Sequence, residues 1–155
     1  MAIWQLSFMI ISRNKLDNFP IESISQFTDE LIVWKEKEIN YDAVKRISEK
    51  FLLEPSWTEC IEQYGKIDGT CVKLFHYDDG TDNLEVSCRL DIRTLTEKEV
   101  ITILDFINAN DGMILIDEKV YEATFDNIKK IVTTSQAYKF CQNPTEFFDK
   151  MANKK

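Results

Sequence analysis

The stretch Leu84-Glu85-Val86-Ser87-Cys88-Arg89-Leu90-Asp91-Ile92-Arg93 decides the fold. Leu84, Val86, Cys88, Leu90 and Ile92 alternate with Glu85, Ser87, Arg89, Asp91 and Arg93. Successive side chains of a strand point to opposite faces, so this segment reads as a strand with one apolar and one polar face. Immediately upstream, Asp78-Asp79-Gly80-Thr81-Asp82-Asn83 reads as a turn and Thr70–Tyr77 as a second strand. Before these come Gly65-Lys66-Ile67-Asp68-Gly69, a turn with two glycines, and the β segment Trp57–Tyr64. Three strands joined by short turns predict an antiparallel meander with one face on the core.

The flanks complete the pattern. In residues 3–11, Trp4, Leu6, Phe8 and Ile10 alternate with Ile3, Gln5, Ser7 and Met9, as for a strand well inside a sheet. Residues 12–29 read as a connection with little regular structure, and Leu31–Trp34 as a short strand. Asn40 is placed to cap a helix from Tyr41 to about Leu53, with Val44, Ile47 and Phe51 on its inner face. Glu54-Pro55-Ser56 stops that helix. Thr96 and Glu99 have capping-box spacing, and Leu95 with Val100 forms a hydrophobic staple. The helix they open carries a stripe of Val100, Ile103, Leu104 and Ile107, widened by Ile101 and Phe106, and it ends at Asn110-Asp111-Gly112.

Met113–Ile116 is a short buried strand, and Asp117–Lys119 turns the chain towards Val120-Tyr121. One further helix carries Phe125, Ile128, Ile131 and Val132. A last helix opens at Asn143-Pro144 and presents Phe147, Phe148 and Met151. These readings predict a single domain over residues 1–155 of the α+β class. Its sheet is mostly antiparallel, with about five to seven strands, a central meander, and helices packed on one face.

With 155 residues the chain is long enough to bury a real core. Its 27 acidic and 19 basic residues give a net charge of -8. Phosphate binding needs a basic surface, so direct contact with nucleic acid is not expected, whereas a basic protein partner is compatible. The N-terminal apolar run is interrupted by Gln5 and Ser7 and is too short to span a membrane. It has no basic leader or small-residue cleavage site, so the expected location is cytoplasmic.

The candidates for chemistry are few. His76, in Phe75-His76-Tyr77-Asp78-Asp79, has carboxylates beside it, as a general base oriented by an acid would. Its parity places it with Val72 and Leu74, which reads instead as a structural or surface histidine. Asp78–Glu85 is rich in oxygen ligands, but its Gly is third and no Glu follows at EF-hand distance, so a hairpin turn is the plainer reading. The row Glu85, Ser87, Arg89, Asp91 and Arg93 has three readings: a solvated face, the floor of an interface, or a site for an anionic ligand through its two arginines.

Cys60, Cys71, Cys88 and Cys141 form no CxxC pair, and no histidine cluster accompanies them, which argues against zinc and thioredoxin-like chemistry. Cys88 reads as a small buried hydrophobe. Reduced thiols are expected of all four, and the helix after Cys141 is the one feature that would activate a thiol. No cofactor and no metal is predicted.

The acidity is uneven. Between Glu54 and Arg93 there are nine acids and four bases. Two turns and their strands thus make an acidic end, beside which Trp57, Tyr64 and Tyr77 are available as aromatic anchors. Asp78, Asp79, Asp82, Glu59 and Glu62 are the expected partner contacts. Arg89, Asp91 and Arg93, together with His76, are the alternative ligand site of a small enzyme or anion-binding domain.

Three stretches carry a resemblance: Trp57…Tyr64-Gly65, Arg89-Leu90-Asp91-Ile92-Arg93, and Ser135-x-Ala137-x-x-Phe140-x-x-Asn143-Pro144-x-x-Phe147-Phe148. Over roughly residues 57–148 the chain resembles small bacterial α+β proteins of the immunity-protein type, which accompany polymorphic or contact-dependent toxins. The shared features are packing and capping patterns and carry over no functional residue. The resemblance implies a cytoplasmic protein that masks the active site of a partner. Together with the acidity, it leads to the expectation of an inhibitor of a basic toxin such as a nuclease.

Overall fold

The computed structural model describes residues 1–18, 26–56 and 58–142, with positions 145, 149 and 152. The predicted helix at Asn143-Pro144, with Phe147, Phe148 and Met151, falls largely outside the described residues, as does Trp57.

The fold is α+β, built on one eight-stranded antiparallel sheet. In chain order the strands are β1 (Gln5–Ser12), β2 (Val33–Lys35), β3 (Leu53–Glu54), β4 (Ile61–Gly65), β5 (Cys71–His76), β6 (Asn83–Asp91), β7 (Gly112–Ile116) and β8 (Lys119–Tyr121). The helices are α1 (Arg13–Leu16), α2 (Thr28–Leu31), α3 (Tyr41–Lys50), α4 (Glu97–Ala109), α5 (Phe125–Thr133) and α6 (Gln136–Gln142). The sheet order is β3-β4-β5-β6-β1-β7-β8, with β2 also on β6. The predicted meander is β4-β5-β6, in the register Glu62↔Leu74, Val72↔Cys88 and Leu74↔Val86.

Alternation along β6 sets the two faces. Leu84, Val86, Cys88 and Leu90 are buried with Val72, Leu74, Phe8 and Ile10 in the main core. That face is covered by Ala43, Val44 and Ile47 of α3, by Val100, Ile103 and Ile107 of α4, and by Ile128 and Ile131 of α5. Each valine or isoleucine among them contributes roughly 1.5–3 kcal/mol on burial. The helices start where their caps dictate. The side chains of Asn40, Thr96 and Thr124 accept from the backbone N–H groups of Ala43, Glu99 and Asn127, and Thr96 with Glu99 forms the complete capping box.

Several expectations are corrected. The sheet has one strand more than anticipated, because α3 stops at Lys50 and Leu53–Glu54 pairs with Tyr64 and Gln63. Among the described residues of 12–29 there are two single turns of helix, α1 and the start of α2, and Leu31 belongs to α2 rather than to the following strand. Leu31 joins Ile11, Met113 and Leu115 in a small second core on the sheet's other face. In the predicted β segment, Thr58–Cys60 are not strand and β4 begins at Ile61. Ile101 is exposed at 47%, because it lies a full step round the helix from the buried stripe. Helix α6 precedes the predicted Asn143-Pro144 start and buries Ala137.

Gly65 closes β4 at φ 114, where a Cβ would meet the Thr70 carbonyl oxygen at 2.3 Å. Only glycine turns this corner without strain. Among the described residues no helix is long and apolar enough to cross a membrane.

Candidate protein-binding surface

Three segments meet at the end of the meander where β4 starts and β5 turns into β6. The His76 N–H donates to Cys60 O (2.7 Å), the Tyr77 N–H to Asn83 O (2.9 Å), and the Glu36 N–H to Asp82 O (2.9 Å). These bonds place Glu59, Asp78, Asp79 and Asp82 at one end of the sheet, and add Glu36 from the 3₁₀ turn Glu36–Glu38 that follows β2. Asp78, Asp79, Asp82 and Glu59 are exposed. Asp79 Oδ1 accepts from the Thr81 N–H (3.0 Å) and from the Thr81 hydroxyl, and these bonds hold its carboxyl below the usual range. Lys35 offsets part of the charge: its Nζ lies 3.5 Å from Asp82 Oδ1 and donates to Asn83 Oδ1 at 2.6 Å.

Glu62 sits behind this rim on the helix-covered side of β4. Its Oε2 accepts from the Tyr64 hydroxyl (3.0 Å), and its Oε1 lies 3.3 Å from His76 Nε2. That nitrogen is buried and makes no hydrogen bond, so the contact is an ion pair only when the imidazole is protonated. The Tyr41 hydroxyl donates to Glu36 Oε1 at 3.3 Å. Burial, and then Glu36 and Glu62, push Tyr41 up to about 12; burial, and then Glu62, do the same to Tyr64. Tyr77 also reaches about 12, through burial first and then Glu85, Asp79 and Asp29. Burial is the leading cause for all three phenols, with nearby carboxylates adding to it. Phe75, 38% exposed, packs edge-on against Tyr77 with centroids 6.1 Å apart. Exposed aromatic area thus lies beside carboxylates at this end of the sheet.

The alternative set is not gathered. Arg89 donates from Nε to Gly69 O (3.0 Å) and from Nη2 to the carbonyls of Lys66 (3.2 Å) and Ile67. It clamps the β4–β5 turn with Nε and Nη2, so that a majority of its five donors is engaged. Asp91 is 3% exposed and holds Arg93 through Nε (3.1 Å) and Nη2 (2.8 Å), while the Arg93 guanidinium lies 4.1 Å over the Trp4 ring. His76, cross-strand from the core residue Leu84, is on the opposite face and at the other end. Asp91 and Arg93 do line a cleft of about 1000 Å³ between the end of α3, the β4–β5 turn and the start of α4. The Lys50, Lys66 and Lys98 side chains there are interleaved with Glu49, Glu54 and Asp68, so no anion-selective field results.

Burial pushes the Cys88 thiol well up, and it also raises Cys71 and Cys141, the latter despite nearby Arg93. None of these three is an activated nucleophile. Among the described residues no group of three or more His, Cys, Asp or Glu side chains is arranged to hold a metal ion.

Sequence reasoning missed Asp29 and Glu36. Both reach the acidic end through the pairing Val33↔Glu85, Trp34↔Leu84 and Lys35↔Asn83, and a three-residue strand carries too little periodicity to announce its register. Comparison with protein-family models, with curated proteins and with solved structures finds no match to this chain.

Proposed function

We propose that this chain is a protein-binding module that neutralises a basic partner, in the manner of an immunity protein that masks a toxin such as a nuclease. The observation that carries the reading is the convergence of Glu59, Asp78, Asp79 and Asp82, with Glu62 behind them, around Phe75 and Tyr77. A nuclease presents cationic groups to phosphate, and an acidic surface competes for the same ground. On this reading the protein acts in the cytoplasm, makes no direct contact with nucleic acid, and performs no chemistry itself.

The test has two steps. Protein captured from source lysate at low salt and eluted by a salt gradient is identified by mass spectrometry. Its association with the native chain and with the Asp78→Lys/Asp79→Lys variant is then followed by stopped flow. The expected result is one basic protein in near-stoichiometric amount, inhibited by the native chain, with slower association and a shallower salt dependence for the variant. An unchanged on-rate removes the acidic end from the interface.

A further inference from the structure

On the face of the sheet turned away from α3, α4 and α5, one cross-strand row follows the register Gln63↔Lys73, Lys73↔Ser87, Ser87↔Met9 and Met9↔Leu115. The Gln63 amide, the Lys73 ammonium and the Ser87 hydroxyl therefore stand side by side. Directly opposite residues have β-carbons ~5 Å apart, so the donors of all three reach one spot. Gln63 is 5% exposed, and its Nε2 is buried without a hydrogen-bond partner. Among the described residues, Lys73 Nζ enters no ion pair and Ser87 Oγ makes no hydrogen bond. The acids of this face do not fill the gap: Glu54 adjoins Gln63 in the row without bonding to it, and Glu85 is engaged by the Tyr77 hydroxyl. A buried amide left without an acceptor costs stability, and native proteins ordinarily satisfy such groups.

We propose that this row holds the carboxylate of a small monoanion with an apolar body. The donors select the headgroup. Lys73 brings one positive charge, while Gln63 and Ser87 bring uncharged N–H and O–H groups, a set that matches one carboxylate rather than a dianion such as phosphate. The other half of the row selects the body. Beyond Ser87 it passes into Met9 and Leu115, where a cavity of about 280 Å³ is lined by these residues and by the turn Asp117-Glu118. That volume lies at the small end of ligand cavities and takes a chain or ring of a few carbons. Asp117 and Glu118 repel a second negative charge there, which again favours a monoanion. Lys73 and Ser87 are half-buried and open the row to solvent, with the Gln63 amide at its closed end. The site uses none of the carboxylates of the acidic end, and it stands independently of the function proposed above.

Titration of the isotope-labelled full chain with sodium hexanoate tests this, because the Gln63 side-chain amide is itself an NMR signal. The expected result is a saturable shift of the Gln63 Nε2–H resonances in the millimolar range, which neither hexan-1-ol nor inorganic phosphate reproduces. Lys73→Met should weaken hexanoate binding by at least ~tenfold. Gln63→Leu should lose the probe and raise the melting temperature, since it removes a donor that has no acceptor in the free protein. Resonances that hexanoate does not move overturn the proposal, as does a shift that hexan-1-ol or phosphate reproduces, or an affinity unchanged in Lys73→Met. A lower melting temperature in Gln63→Leu overturns it too, because the amide is then satisfied without a ligand. Should Lys73→Met fail to fold, Ser87→Ala is read instead: binding weakened by at least ~threefold supports the site, and unchanged binding overturns it.

Discussion

The indole Nε1–H of Trp34 donates to the carbonyl oxygen of Ile10 at 2.8 Å. The bond marks the place where β2 takes over from β1 alongside β6, since β1 pairs with β6 as far as Ile10↔Val86 and β2 begins at Val33↔Glu85. Trp34 is 2% exposed, so the bond is made in the core. Trp34→Phe removes the donor, strands a buried carbonyl and leaves a void. The expected cost is about 2–4 kcal/mol in urea unfolding at unchanged m-value. A loss below about 1 kcal/mol would mean that the indole is not what joins β2 to β1.

Arg89 provides a test of the anion-site reading of the polar face of β6. As a clamp on the carbonyls of Lys66, Ile67 and Gly69, it stabilises the β4–β5 turn. Arg89→Met keeps the apolar stem and removes the donors. The expected loss is about 1–2 kcal/mol, discounted for partial exposure, with the amides of residues 66–69 exchanging faster before the rest. Inorganic phosphate should leave the native melting temperature unchanged. Stabilisation by phosphate that disappears in Arg89→Met would restore the anion-site reading.

The contrast between β6 and β2 explains how far the sequence is legible. Nine residues of β6 alternate strictly, so one strand reveals both faces and the meander around it. The acids of the β5–β6 turn could be located for the same reason: they lie between two readable strands. Asp29 and Glu36 could not, because tertiary pairing alone brings β2 to the start of β6. Leu52 and Leu53 read as the last residues of a helix that in fact stops at Lys50, and only the structure shows them on an exposed edge. The row Arg89, Asp91 and Arg93 was visible as a pattern, but which acceptors its arginines would find depends on the fold of the neighbouring turn.

The acidic surface extends beyond the residues that sequence alone identified, and this has a kinetic consequence. Glu36 donates its N–H to Asp82 O, and Asp29 acts on Tyr77. Asp29→Lys with Glu36→Lys should slow association with the basic partner by about two- to tenfold and flatten its salt dependence. Stability should stay within ~0.5 kcal/mol, since both side chains are exposed. A native on-rate in this variant, combined with a slowed one in Asp78→Lys/Asp79→Lys, would confine the contact to the β5–β6 turn.

Asp91 gives the chain a pH-dependent element of stability. Its carboxyl is held below the usual carboxylate range, first by the hydrogen bonds from Arg93, whose backbone N–H also donates to Oδ1 at 3.0 Å. A carboxylate depressed in the folded state contributes stability that is complete above its unfolded value, near ~3.9, and is lost as pH falls through the lower folded value. Asp91→Asn retains the shape and an acceptor but removes the charge. It should therefore cost about 1–2 kcal/mol at neutral pH, and the gap should close as pH drops below about 3.9. Urea unfolding of both proteins from neutral pH down to about pH 2.5 measures the gap directly. A difference that stays constant over that range would assign the cost to packing around a 3% exposed side chain rather than to the charge pair with Arg93.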